Sequence, residues 1–444
     1  MRIRQFRCIP VVLLALLGPQ AASAQSLTGE QDLTAAYNAS GQTLFQQFAR
    51  APGNVVISPY SIGSAMAMAL SGARGETEKQ MAAVLKLGMP RSAMESANTR
   101  VLATLNDYDQ SAAPPTCPAG MRVDGRMCKG PRESNGGCPF PMRLEGGECV
   151  GPAKISPSAK LAIANALMLT MPGDAISPDY AALLKDKYAA EVFKNAGLAD
   201  VNAWVNRKTE GKIDKILDQL DPSAKAVLLN AVYFKASWRL IFSKRDTNKE
   251  AFHLTSSNKA QVPMMHQVAS FAVLVRPGFR AIRLPYEVQS LGMIVVVPDK
   301  IDGVRKAGLQ LDAGELRREM QTATFKRVDL ALPRFKAAFK ADLVPPFQQA
   351  GLSLPFENKA NFSGMTGRPA ADRGLKIGQI AHRAMVEVEE EGTEAAAATA
   401  IVMVPAAARP VTPEPFRVDR PFLFYLVDDK TGAILFQGRI SDPR

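Results

Sequence analysis

The stretch Glu387–Phe416 reads EVEEEGTEAAAATAIVMVPAAARPVTPEPF. It opens on Glu387, Glu389, Glu390 and Glu391, a carboxylate run expected to keep that end solvated. Gly392 follows as a backbone pivot, since glycine alone accepts almost any φ/ψ. Thr393 to Ala400 are nearly all small, and Ile401 to Val404 are apolar. Taken alone, an alanine-rich run reads as a linker or a spare helix. Prolines at 405, 410, 413 and 415 forbid a helix in the second half, because proline has no N–H to donate and clashes with the preceding turn. Thr393, Ala395, Ala397, Thr399, Ile401 and Met403 form a row of period two, the pattern of a strand buried on one face. The segment can sit out as a loop and go in as a strand.

The hinge GTEAAAATA (392–400) resembles that of the serpins, with their glycine, threonine, glutamate and small-residue pattern. The resemblance runs along the chain in the family's order. It is carried by NVVISPYSIGSAMAMALSGARGET (54–77), VNAWVNRKTEGKI (201–213), LLNAVYFKASW (228–238) and VPMM (262–265). ALPRFK (331–336), NFSGM (361–365) and DRPFLFYLVDDKTGAILFQGRI (419–440) complete it.

With 47% apolar and 22% charged residues among 444, the chain is globular rather than disordered. The net charge of +12 is dispersed over separate pairs such as Lys244-Arg245, Arg317-Arg318 and Lys326-Arg327, so no nucleic-acid partner is expected. Residues 1–24 have a basic start (Arg2, Arg4, Arg7), an apolar core from Ile9 to Leu17, and Ala22-Ser23-Ala24 as a small-x-small cleavage site. That is the pattern of a secretory signal peptide. Its core is too short to span a bilayer. An exported protein, periplasmic or extracellular, with no membrane span and one domain over 25–444 is expected.

Of five cysteines, Cys8 leaves with the signal. The others lie in two copies of C-P-x-x-M-R-x-x-G-x-x-C, CPAGMRVDGRMC (117–128) and CPFPMRLEGGEC (138–149), 21 residues apart. Four cysteines allow three connectivities. The duplication favours Cys117–Cys128 and Cys138–Cys149, each unit closing on itself. A zinc site is the alternative, but C-x-x-C knuckles and a nearby histidine are missing. Export also favours disulfides. Residues 110–157, rich in Pro, Gly and Cys and without a core pattern, read as an insertion in an exposed loop. This departs from the family's usual plan.

Helices are expected over 28–49, 62–70, 77–87, 91–107, 178–187, 202–210 and 305–321. Thr28 and Gln31 suit a capping box for the first, and Ser58 or Ser61 a cap for the second. Strands are expected over 55–57, 161–171, 226–234, 262–264, 271–275, 280–284, 293–297, 328–332, 422–427 and 433–440. Helices first and many strands after imply an α+β fold. Histidines stand only at 253, 266 and 382, and H-E-x-x-H, G-x-S-x-G and P-loop motifs are absent, so neither an enzyme nor a cofactor is expected. His382, framed by Ile380, Ala381 and Met385, reads by itself as a satisfied core residue.

The resemblance implies a serpin fold of three β-sheets with eight or nine helices, a metastable form and an exposed reactive-centre loop. A serine or cysteine protease would cut that loop and be trapped covalently. The hinge (Glu391, Gly392, Thr393, Glu394, Ala395, Ala396, Ala397, Ala398 and Thr399) would insert as a strand. Ser58, Ser61, Asn230 and His382 match residues beneath the opening of the central sheet, with a gating role. Fourteen residues from Gly392, the cut falls at Ala406-Ala407, which suits an elastase-like pocket. Counted back from Pro421-Phe422 it falls beside Arg409-Pro410. The hinge count is preferred, because the mechanism constrains that side. A monomer is expected. Two other classes compete: a non-inhibitory carrier or chaperone of the family, and a recognition protein acting through the Cys-rich insertion.

Overall fold

The structure is a computed structural model. It describes residues 20–110, 116–124, 127–133, 136–139, 142–152, 159–170, 176–194, 196–220, 224–367, 375–393 and 412–444. Most of residues 1–24, expected to be a signal peptide, Glu394 to Thr399, and Ala406 and Ala407 therefore lie outside the described residues.

The architecture is α+β, with ten α-helical segments among the described residues, eight of them seven residues or longer. A six-stranded sheet forms the centre, in the order Phe335–Asp342, Ile377–Glu389, Gly392–Thr393, Ala226–Ser237, Ala159–Leu169, Glu191–Lys194. Apart from Asn230, Ala226–Phe234 is apolar, and it is buried at every position, as a strand covered on both faces requires. Leu228, Val232 and Phe234 face the main core, while Val227, Leu229 and Ala231 pack with Val201 and Trp204 of the helix Leu198–Lys208. Under the main-core face lies Pro59–Gly72, buried along its whole length. Ser58 is its N-cap, its hydroxyl accepting from the Ser61 N–H at 3.2 Å, and Pro59 takes the first helical position.

The remaining body strands form a nine-stranded set that turns on Lys259–Arg276. The first part of that strand (259–264) pairs with Asn248–His253 and its last part (272–276) with Phe279–Pro285, so one strand serves two sheets. With the central sheet this makes three. Glu414–Arg417, the strand in which the stretch Glu387–Phe416 ends, pairs in parallel with Thr324–Pro333.

The Cys-rich stretch is not patternless. It forms its own four-stranded sheet, in the order Arg122–Asp124, Met127–Gly130, Glu148–Pro152, Arg143–Glu145. Disulfides join Cys117 to Cys128 and Cys138 to Cys149. The pairs Cys128↔Gly151 and Gly130↔Cys149 exchange under the 21-residue repeat, so the two copies are related by a local two-fold. Met121 covers Gly130, and its equivalent Met142 covers Gly151, so closely that a Cβ on either glycine would clash.

Several expected boundaries move. The first helix runs Gln20–Phe48, so Thr28 is not at its start. The helix expected over 305–321 is two, Val304–Gln310 and Ala313–Gln321, because Asp312 caps the second by accepting from the Glu315 N–H at 2.7 Å. The strands expected at 262–264 and 271–275 are one. Phe335–Asp342 and Ile377–Glu389, not expected as strands, are the edge and an inner strand of the central sheet.

Candidate functional site

Ile377–Glu389 and Ala226–Ser237 run parallel, paired from Ile377↔Ala226 to Met385↔Tyr233. Beyond that pair they part, and Gly392–Thr393 enters between them, antiparallel to both. Thr393 pairs with Val388 on one side and Ala236 on the other. Gly392 is required by close approach: a Cβ there would lie 2.1 Å from the Ala236 carbonyl oxygen. Thr393 is buried, its hydroxyl 2.6 Å from that of Tyr286. Burial pushes the Tyr286 phenol up, so it stays protonated. Trp238 stacks on Tyr286 at 4.4 Å between ring centroids.

The turn before this entry is not solvated, contrary to the reading of its carboxylates. Glu390 is 1% exposed and Glu391 7% exposed. Glu390 accepts from Arg334 Nε at 2.7 Å and from the Thr247 hydroxyl at 2.6 Å. Burial opposes its ionisation, but these hydrogen bonds outweigh burial and hold the carboxyl below its usual value. Lys244 pairs with Glu391 at 2.8 Å. The backbone is fixed too: Trp238 N–H donates to the Glu391 carbonyl and Trp238 Nε1–H to that of Glu389.

Lower in the sheet, Asn165, Asn230 and His382 stand in register across three strands. Asn230 Nδ2 donates to Asn165 Oδ1 and Ser61 Oγ, both at 2.6 Å, and to the Ser61 carbonyl at 3.1 Å. His382 Nδ1 donates to Asn230 Oδ1 at 2.6 Å. His382 Nε2 is then a bare acceptor, and it and Asn165 Nδ2 have no partner among the described residues. Full burial lowers the pKa of His382 to about 3, so the ring is neutral.

The structure thus brings Ser58, Ser61, Asn230 and His382 together, with Glu391, Gly392 and Thr393 at the open end of the same two strands. Sequence reasoning missed Asn165, Trp238, Tyr286, Arg334, Thr247 and Lys244. Asn165 carried a signal, a lone amide in the apolar run 161–169. The others carried none, since their partners are distant in sequence. No helix among the described residues is long and apolar enough to cross a membrane.

The model of the serpin (serine protease inhibitor) family matches residues 35–123 and 147–443. The unmatched residues between, 124–146, lie within the Cys-rich stretch. Serpin B3 of Homo sapiens is 33% identical over 417 residues, covering 90% of this chain and 96% of its own length. The leukocyte elastase inhibitor of Bos taurus is 32% identical over 410 residues, 88% of this chain and 93% of its own. Among solved structures, native protease nexin-1 with heparin is 26% identical with a TM-score of 0.72, covering 94% of this chain and all of that one. Human thyroxine-binding globulin, 24% identical, has the same fold at a TM-score of 0.73, covering 94% and 99%. This chain belongs to the serpin family.

Proposed function

We propose that this protein inhibits serine proteases, elastase-like enzymes above all, as a suicide substrate whose cut loop inserts into the central sheet. One observation carries the reading: Gly392–Thr393 already occupies the gap between two parallel strands, antiparallel to both. If the register continues, six residues on from Thr393, Thr399 comes opposite both His382 and Asn230. Opposed residues in a ladder point to one face. The small row Thr393, Ala395, Ala397, Thr399 then faces the main core. A bulky or charged residue in that row would block entry; this chain has none.

Ser58, Ser61, Asn230 and His382 act here as the latch that must open, and Ala406-Ala407 is the bond offered. The name of the bovine relative and the Val404-Pro405-Ala406 sequence support an elastase-like target. Residues 1–24 direct export, in keeping with the two disulfides. Residues 110–157 are an appendage of the single 25–444 domain, and the inhibitor works as a monomer.

The test is incubation of the mature protein with pancreatic elastase, trypsin and chymotrypsin, followed by boiling in detergent. A stable complex with elastase is expected, with a released C-terminal fragment that mass spectrometry finds beginning at Ala407. Clean cleavage of the chain without any complex overturns inhibition. A fragment beginning at Pro410 moves the target to a trypsin-like enzyme.

A further inference from the structure

The two copies of the Cys-rich repeat share their cysteines, Met121 with Met142 and Gly130 with Gly151, all of which the packing of the sheet uses. They also keep a triplet outside that packing, Arg122-Val123-Asp124 in one copy and Arg143-Leu144-Glu145 in the other. All six residues are exposed, Val123 at 46% and Leu144 at 49%. The inner strands diverge instead: Met127 stands where the other copy has Glu148, and Lys129 where it has Val150.

The triplets are the two outer strands of the four-stranded sheet, and among the described residues neither outer edge is paired. Asp124↔Met127 and Glu145↔Glu148 close hairpins with two residues between, and such closing pairs are hydrogen-bonded. The ladder alternates, so the N–H and C=O of Val123 and of Leu144 point outward. An open edge is a template for another strand, and charged side chains on it ordinarily turn strangers away. Here the charges select a partner. Set antiparallel against itself, Val123 faces Val123 and Arg122 faces Asp124. Set against the other edge, Arg122 faces Glu145, Val123 faces Leu144 and Asp124 faces Arg143. Parallel pairing puts like charges opposite each other, which is unfavourable. The opposite charges also fall at non-hydrogen-bonded positions, where side chains come closest. Within the chain Arg122 pairs with Glu148, Asp124 with Lys129 and Arg143 with Glu145. These are exposed ion pairs of little individual weight, which an incoming strand can share.

We infer that the Cys-rich sheet pairs edge to edge with that of a second copy of this chain, through Arg122–Asp124 and Arg143–Glu145. Each chain has two such edges, so association continues past a pair. Three residues a side make a contact far smaller than a stable dimer needs, so it sets in only at high concentration. Each body still traps one enzyme alone, so the inference goes beyond the proposed inhibition and does not rest on it.

The experiment is sedimentation equilibrium of the mature chain, in about 0.15 M salt to screen long-range repulsion. The parent is compared with an acidic-edge variant, Arg122→Glu with Arg143→Glu, and a basic-edge variant, Asp124→Lys with Glu145→Lys. We expect the parent's weight-average mass to rise about twofold or more between about 10 µM and 0.5 mM. Each variant alone should stay monomeric, and an equal mixture of the two should recover the rise. Unfolding midpoints and elastase trapping should match the parent's in both variants. A parent that stays monomeric overturns the inference and leaves the edges to a strand of another protein. Association that persists in either variant alone overturns it too, since another surface is then responsible. A mixture that stays monomeric overturns the charge-paired register.

Discussion

His382 is buried with one ring nitrogen bonded to Asn230 and the other bare. Its folded pKa of about 3 lies below the ordinary histidine value near 6.5. Below pH 6.5 the unfolded chain takes up a proton that the folded His382 refuses. Stability is therefore held above pH 6.5 and lost as the pH falls towards 3, by about 1.4 kcal/mol per unit. His382→Ala removes that loss along with the bond to Asn230. At pH 7.5 the variant should be less stable by roughly 1–3 kcal/mol, since a buried amide loses its partner. Denaturant midpoints should show the gap closing between pH 7.5 and 5; a constant gap would mean that His382 titrates normally. The sequence showed the apolar frame around this histidine, which fits a core residue; the gating role came with the resemblance. The register of three strands shows which amide it bonds. Glu390 and Glu391 were misread because the groups that bind Glu390, the Arg334 cation and the Thr247 hydroxyl, lie 56 and 143 residues away.

At the scale of elements, the decisive one is the two-residue strand Gly392–Thr393. Thr393→Arg would place a cation where Thr393 is fully buried, beside Tyr286, at a cost of several kcal/mol without a counter-charge. The variant should be cleaved as a plain substrate, and gels should show fragments in place of complex; trapping as efficient as the parent's would contradict the hinge assignment. The Cys-rich sheet is closed by its own disulfides, each contributing roughly 2–3 kcal/mol to its own unit. Deleting 110–157 should leave the body folded and trapping of elastase within a few-fold. Failure to fold, judged by circular dichroism, would show that the stretch belongs to the core. Elements of one period were legible in the sequence, such as Ala226–Ser237 and Pro59–Gly72. Ile377–Glu389 was not, because Gln379, His382 and Arg383 break its apolar run, and His382 and Arg383 find their partners on other elements. Arg383, for one, bonds the Lys215 carbonyl and pairs with Asp214.

For the molecule as a whole, the proposed insertion requires that the described state is not the most stable one the chain can reach. The two parallel strands are paired over 377–385 but open at 386–389, and among the described residues Gly392–Thr393 fills the opening. A full strand would add ladder bonds on both sides and bury the small row. On the order of ten added hydrogen bonds at about 1 kcal/mol each give roughly 10 kcal/mol. At an unfolding entropy of about 2.1 cal/mol/K per residue, a domain as long as this one shifts by about 1 °C per kcal/mol, a rise of about 10 °C in melting temperature. The resemblance made this claim available from GTEAAAATA alone, while the gap that receives the strand became visible only in the sheet. The most direct measurement is the melting temperature of the chain before and after a metalloprotease, which forms no acyl-enzyme, nicks it within 394–411. The nicked chain should melt about 10 °C above the intact one; a nicked chain that melts at the same temperature or lower would contradict strand insertion.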